Sequence, residues 1–269
     1  MARKKTTEKK SPGVKHERSP NLFEILTPPG QVPFHEYEVV ENPDTVAASI
    51  KSSTVSTPAS DSPSIFAACE PSPSDTCDSF EKIKSDAIQC KNCELYKTRN
   101  NVVMGEGPEK TMLVFIGEAP GEDEDLSGRP FVGRAGRHLD KIMQSAGIKR
   151  EEVFICNILK DRPPDNRAPT QEEMTACTPF LKRQIALLQP RIIALLGNTA
   201  VKFCIGPKTP GITQIRGKWF DSIFGIPCMP MYHPSYLLRY GSREVGSPNW
   251  QMWQDIQELK KRFDEIRSE

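Results

Sequence analysis

The rhythm of apolar and polar residues changes near position 80. Beyond it come four apolar runs of strand length, at 112–116, 153–158, 192–196 and 226–231. Between and after them, apolar residues recur with the helical period over 134–146, 171–188, 198–203 and 250–266. Thr170 followed three residues later by Glu173 is a capping box, which predicts the start of the second helix. Strands alternating with helices predict a parallel sheet covered on both faces, with ligands bound beyond the carboxyl ends of the strands.

The first 80 positions follow neither period. They hold ten of the 24 prolines, and residues 51–80 contain sixteen Ser, Thr and Pro, too few large apolar groups to offset the entropy of ordering the chain. The division is therefore a disordered extension over 1–80 and a folded domain over 81–269. The extension opens with a short Lys/Arg-rich stretch and carries Phe23, Ile25, Leu26 and Phe34 among prolines, a pattern suited at most to docking a protein partner. A net charge of +1 removes any whole-molecule basic field, so a nucleic-acid partner has to be argued locally. No apolar run approaches the roughly 18 residues of a membrane span, and the amino terminus has no signal-like apolar segment. A cytoplasmic monomer without membrane contact is expected, in which the eight cysteines serve a metal site and ordinary buried thiols.

Candidate chemistry falls at the ends of the expected strands. After the first comes Gly117-Glu118-Ala119-Pro120-Gly121, then Glu122 to Asp125, then Gly128-Arg129-Pro130-Phe131-Val132-Gly133. Alone, an acidic Gly/Pro loop reads as a solvated connection or a divalent-metal site. After the third and fourth strands come Gly197-Asn198-Thr199-Ala200 and His233-Pro234-Ser235-Tyr236-Leu237-Leu238-Arg239. His233 suits a structural hydrogen bond or a catalytic one. Leu237 and Leu238 beside Arg239 can plug the core, or form an apolar wedge with a phosphate clamp of the kind that enters a base stack.

Together with Asn157, Arg162-Pro163-Pro164, Asn166-Arg167 and Arg216-Gly217-Lys218-Trp219, these motifs resemble the family 4, iron-sulfur uracil-DNA glycosylases, in order and over roughly residues 85–263. The resemblance implies a three-layer α/β/α fold around a four-stranded parallel sheet. It also implies hydrolysis of the N-glycosidic bond of deoxyuridine in single- and double-stranded DNA, the opening step of base-excision repair. The alternative is a catalytically weak or inactive DNA-binding module of the same fold. By the same resemblance Phe131 lies under the extruded base, Asn157 reads its edge, Ala119 contributes its backbone, and His233 donates to the departing uracil. Glu118 and Glu124 stand as nearly equal candidates for the carboxylate that orients water, the remaining acids are expected to be solvated, and Leu237, Leu238 and Arg239 are expected on DNA.

The resemblance also implies a 4Fe-4S cluster on Cys90, Cys93 and Cys177. A fourth cysteine is expected just before Arg162-Pro163-Pro164, where this chain has Asp161. A carboxylate is a harder and weaker ligand for such a cluster. Three outcomes stay open: Asp161 ligates, Cys156 moves in, or the site holds zinc or nothing. Cys156 adjoins Asn157 in an expected strand, so their side chains point to opposite faces. That favours Asp161, or a cluster on three thiolates. Cys204 and Cys228 read as buried small hydrophobes.

Overall fold

The computed structural model describes residues 78–269. The basic amino-terminal stretch, the 21–40 segment, Cys69 and Cys77 lie outside the described residues.

The strands are β1 (Leu113–Gly117), β2 (Phe154–Asn157), β3 (Ile192–Leu196), β4 (Phe220–Asp221) and β5 (Pro227–Met231). The helices are α1 (Phe80–Gln89), α2 (Glu122–Ser127), α3 (Arg134–Ser145), α4 (Gln171–Leu188), α5 (Asn198–Cys204), α6 (Ile212–Ile215), α7 (Pro234–Leu237) and α8 (Pro248–Ser268). The sheet order is β2-β1-β3-β5-β4, with the first four strands in that order parallel and β4 antiparallel to β5. The sheet thus has five strands where four were expected. The addition is a two-residue edge strand, too short to show a period.

Every residue of β1, β2 and β3 is buried, as continuous apolar runs require when helices cover both faces. On one face Leu139, Ile142 and Met143 of α3 and Ile256, Leu259 and Phe263 of α8 pack on Leu113, Phe115, Ile155 and Ala194. On the other, Leu181, Ile185 and Leu188 of α4 and Val201 of α5 pack on Val114, Ile116, Ile193 and Leu195. Each such side chain contributes about 1.5–3 kcal/mol on burial. The α4 cap forms as expected: the Glu173 backbone N–H donates to Thr170 Oγ1 at 3.2 Å, and Thr170 N–H donates to Glu173 Oε2 at 2.8 Å. Among the described residues no helix is long and apolar enough to cross a membrane.

Strand alternation sets up the site. Cys156 points into the α4 and α5 layer, so Asn157, the next residue and the last of β2, is turned the other way, toward Gly117 and Phe131. The loops that follow β1, β2, β3 and β5 all leave from the same edge of the parallel sheet.

Candidate active site

Those loops enclose a cavity of about 550 Å³ whose lining includes Glu118, Phe131, Asn157, Thr199 and His233. Its floor is a close contact between neighbouring strands. Gly117 pairs with Asn157 across β1 and β2, and a Cβ on Gly117 would lie 2.4 Å from Asn157 Oδ1 and 2.6 Å from the Phe131 ring. Glycine is required there because the amide and the ring occupy the space a side chain would need. Asn157 is 2 % exposed, and its Oδ1 is buried with no hydrogen-bond partner among the described residues. A buried, unpartnered amide oxygen is costly unless a ligand completes it.

Phe131 sits at φ 50°, a left-handed conformation that costs a bulky residue about 1–3 kcal/mol and survives only where the surroundings impose it. Here the α3 helix closes on its backbone, since a Cβ on Gly136 would come within 1.9 Å of the Phe131 carbonyl oxygen. Arg150 adds hydrogen bonds to the carbonyls of Pro130 at 2.7 Å and Phe131 at 3.4 Å, with Asp140 as its ion-pair partner at 2.6 Å. The ring is thereby fixed beside His233, with centroids 5.8 Å apart. Arg150 carried no recognisable motif, because the loop it braces precedes it by about 20 residues.

His233 caps α7. Its Nδ1 accepts from the Ser235 backbone N–H at 3.2 Å and lies 2.7 Å from Ser235 Oγ. Burial pushes its pKa down to about 4, so at neutral pH the ring is uncharged. With Nδ1 committed as an acceptor, the single ring proton is assigned to Nε2. Gly197, at φ 91°, leaves only 3.0 Å between an added Cβ and His233 Cβ, so the turn after β3 also makes room for the histidine.

The two candidate carboxylates have different surroundings. Glu118 is half-buried at the end of β1, and its Oε2 accepts from Thr199 Oγ1 at 2.5 Å. Its other oxygen has no partner among the described hydrogen bonds. Glu124 is 9 % exposed, and both of its oxygens accept hydrogen bonds. Its Oε2 accepts from Gly121 N–H at 3.1 Å, and its Oε1 accepts from Val132 N–H at 2.9 Å and Gly133 N–H at 2.8 Å. Glu124 therefore ties the two halves of the glycine-rich loop together through both of its oxygens, whereas Glu118 keeps one oxygen without a partner among the described hydrogen bonds. Asp125 is not solvated either. It is 1 % exposed and accepts from the backbone of Asn100 at 2.9 Å and from Asn101 at 3.3 Å.

Leu237 and Leu238 divide. Leu237 is 1 % exposed and part of the core beneath α3, whereas Leu238 is 39 % exposed and Arg239 lies in solvent. One helical turn points neighbours in different directions, so of the two only Leu238 presents its side chain at the surface.

Behind the site, Leu95, Leu159 and Cys177 form a small cluster with Cys93, Met174 and Ala119 of the glycine-rich loop. Asp161 lies beside Cys93 and Cys177, close enough to raise the pKa of each thiol, although burial is the larger cause for both. Asp161 Oδ2 accepts from Arg99 Nη1 at 2.8 Å, while Asp161 Oδ1 is buried without a partner. Arg99 also donates to the Ile88 carbonyl near the end of α1. Cys156 is wholly buried in the opposite layer among apolar side chains, away from this group. Among the described residues no three His, Cys, Asp or Glu side chains surround one point as ligands of a single ion. Cys93, Cys177 and Asp161 come together here, with one carboxylate oxygen unpartnered among the described residues, while Cys90, at the end of α1, neighbours Cys93 but packs against the Ile83 and Ala87 cluster.

The comparisons agree with this geometry. The profile of the uracil DNA glycosylase superfamily matches residues 104–259. The chain is 48 % identical over 166 residues to the type-4 uracil-DNA glycosylase of Thermotoga maritima, covering 62 % of this chain and 86 % of that one. It is 46 % identical over 168 residues to the type-4 enzyme of Sulfurisphaera tokodaii, covering 60 % and 76 %. The matched residues run from the loop before β1 into α8 and include every wall of the cavity, and on that ground the chain belongs to the uracil DNA glycosylase superfamily.

Proposed function

We propose that this protein is a uracil-DNA glycosylase that extrudes deoxyuridine from DNA and hydrolyses its N-glycosidic bond, leaving an abasic site. The observation that carries the reading is Asn157, whose buried Oδ1 lacks a partner at the floor of the cavity. In this reading Oδ1 accepts from the N3 hydrogen of uracil while the amide nitrogen donates to O4. Cytosine offers the reverse pattern and would leave both groups unpaired, which a polar site rejects by about 10⁴-fold or more. Phe131 stacks under the base, and the Ala119 backbone lines the same wall.

As the bond between C1′ and N1 breaks, its electron pair leaves with uracil, and negative charge grows on O2. His233, with its proton on Nε2, donates there without itself losing the proton, a contribution worth about 10²–10³ in rate. Positive charge grows on the sugar, where the carboxylate of Glu118 stabilises it and takes the proton of the water that adds to C1′. Leu238 fills the gap left in the stack, and Arg239 holds phosphate. Residues 81–269 make the catalytic domain in this reading, and 1–80 an extension able to carry a protein partner.

Cys90, Cys93 and Cys177 would hold a 4Fe-4S cluster, with Asp161 Oδ1 as a weak fourth donor. Bound there, the cluster would brace the loops after β1 and β2 rather than take part in bond breaking.

The test is release of free base from oligonucleotides that differ at one position. Uracil should be freed from both single strands and duplexes, leaving an intact, alkali-labile backbone, with thymine and cytosine untouched. Strand scission without base release, or equal release of cytosine, would contradict the proposal.

A further inference from the structure

Next to the end of α7 lies a second cavity of about 200 Å³, lined by residues of α3, the loop after Leu238 and the start of α8. Its most exposed apolar surface is Tyr240, 44 % exposed. That ring ends a tyrosine ladder: Tyr240 lies 4.8 Å from Tyr236, which lies 5.0 Å from Tyr232. Tyr232 is buried and anchored through its hydroxyl to Gln251 at 2.9 Å. The loop is tied down as well, because Asn249 Nδ2 donates to the carbonyls of Tyr240 at 2.5 Å and Ser242 at 3.1 Å. A backed aromatic ring on a fixed loop is a stacking platform.

The rest of the lining is cationic. Lys141 and Arg243 both lie near His138, whose pKa burial and then these charges push down. Neither cation has an ion-pair partner among the described residues, and the neighbouring Asp140 is taken by Arg150. No carboxylate lines the cavity. An aromatic face and two cations without ion-pair partners together match a nucleotide: a flat base and a phosphate.

The position selects which nucleotide. The one helical turn of α7 connects the two cavities along the chain, with His233 and Ser235 lining the base cavity and Leu238 and Tyr240 this one. A wedge that replaces an extruded base separates it from its former partner, so what lies across the wedge is the other strand. We infer that this second cavity holds a nucleotide of the complementary strand, its base on Tyr240 and its phosphate between Lys141 and Arg243. The inference rests on the glycosylase reading.

The test compares single-turnover uracil release from one oligonucleotide, alone and paired, at subsaturating protein. For Tyr240→Ala the ratio of duplex to single-strand efficiency should fall about tenfold, while Tyr240→Phe keeps the wild-type ratio. Lys141→Ala with Arg243→Ala should lower the same ratio and flatten the salt dependence on duplex alone by about one phosphate contact. If Tyr240→Ala melts early, that double variant of exposed side chains decides the matter. Unchanged ratios, or equal losses on both substrates, would overturn the inference. A wild-type protein inert on both substrates would instead overturn the glycosylase reading.

Discussion

Thr199 Oγ1 donates to Glu118 Oε2 at 2.5 Å, joining the first turn of the helix after β3 to the carboxylate at the end of β1 across 81 residues of sequence. The bond leaves the other oxygen of Glu118 without a partner among the described hydrogen bonds, and in the proposed mechanism that oxygen is the one that faces the sugar and water. Thr199→Val should lower kcat roughly tenfold, the scale of a lost hydrogen bond to a charged group, with little change in KM or melting temperature. Thr199→Ser should restore it. Equal activity of the valine variant in single-turnover kinetics would mean that Glu118 needs no such support.

Leu237 and Leu238 should separate stability from DNA binding. Leu237→Ala removes a core side chain and should cost about 2–5 kcal/mol of stability, read by urea unfolding. Leu238→Ala should leave unfolding within about 0.5 kcal/mol of wild type yet slow uracil release from duplex DNA more than from single strands. The reverse pattern would place the wedge on Leu237.

His233 should give a pH signature. Its folded pKa of about 4 lies below the ordinary value of 6.5, so between those values the unfolded chain binds a proton that the folded one does not. Its contribution to stability is thus fully present above pH 6.5 and lost as pH falls toward 4. Between pH 7 and 5, wild type should lose stability faster than His233→Gln. Nitrogen NMR should show the Nε2–H tautomer throughout that range. A histidine titrating near 6.5 would contradict the assignment of a neutral donor.

Much of this was legible beforehand, and the exceptions have physical causes. The runs that became β1, β2, β3 and β5 are apolar except for Asn157 because they are covered on both faces, so each was visible within a residue or two of its final bounds. β4 has two residues and no period. Apart from Glu124, the acids after Gly121 read as solvated, yet Glu122–Ser127 is a short helix that buries Asp125 as well as Glu124 against backbone N–H groups. A buried carboxylate of that kind looks like surface in a sequence. Pairings such as Thr199 with Glu118 and Arg99 with Asp161, 62 residues apart, leave no local trace.

Asp161 should separate the cluster from the fold around it. Asp161→Cys supplies the fourth thiolate that the proposed cluster would take but strands Arg99, whose side chain is 12 % exposed. Losing one partner of a buried pair costs about 3–5 kcal/mol. The metal-free variant should therefore unfold earlier than metal-free wild type, while its iron, once loaded, should resist oxygen and chelator longer. Unchanged iron lifetime, with loss of iron in Cys156→Ser, would make Cys156 the ligand.

The central claim is that Glu118 and His233 act at the two ends of the breaking bond. Single-turnover release of uracil from a duplex saturated with protein tests it most directly, for wild type, Glu118→Gln, His233→Ala and Glu124→Gln, with DNA affinity measured in parallel. The account predicts losses of about 10²–10³ for His233→Ala and about 10²–10⁴ for Glu118→Gln at near wild-type affinity, whereas Glu124→Gln lowers the melting temperature first. Near wild-type rates for Glu118→Gln, or losses matched by equal losses of DNA binding, would contradict it.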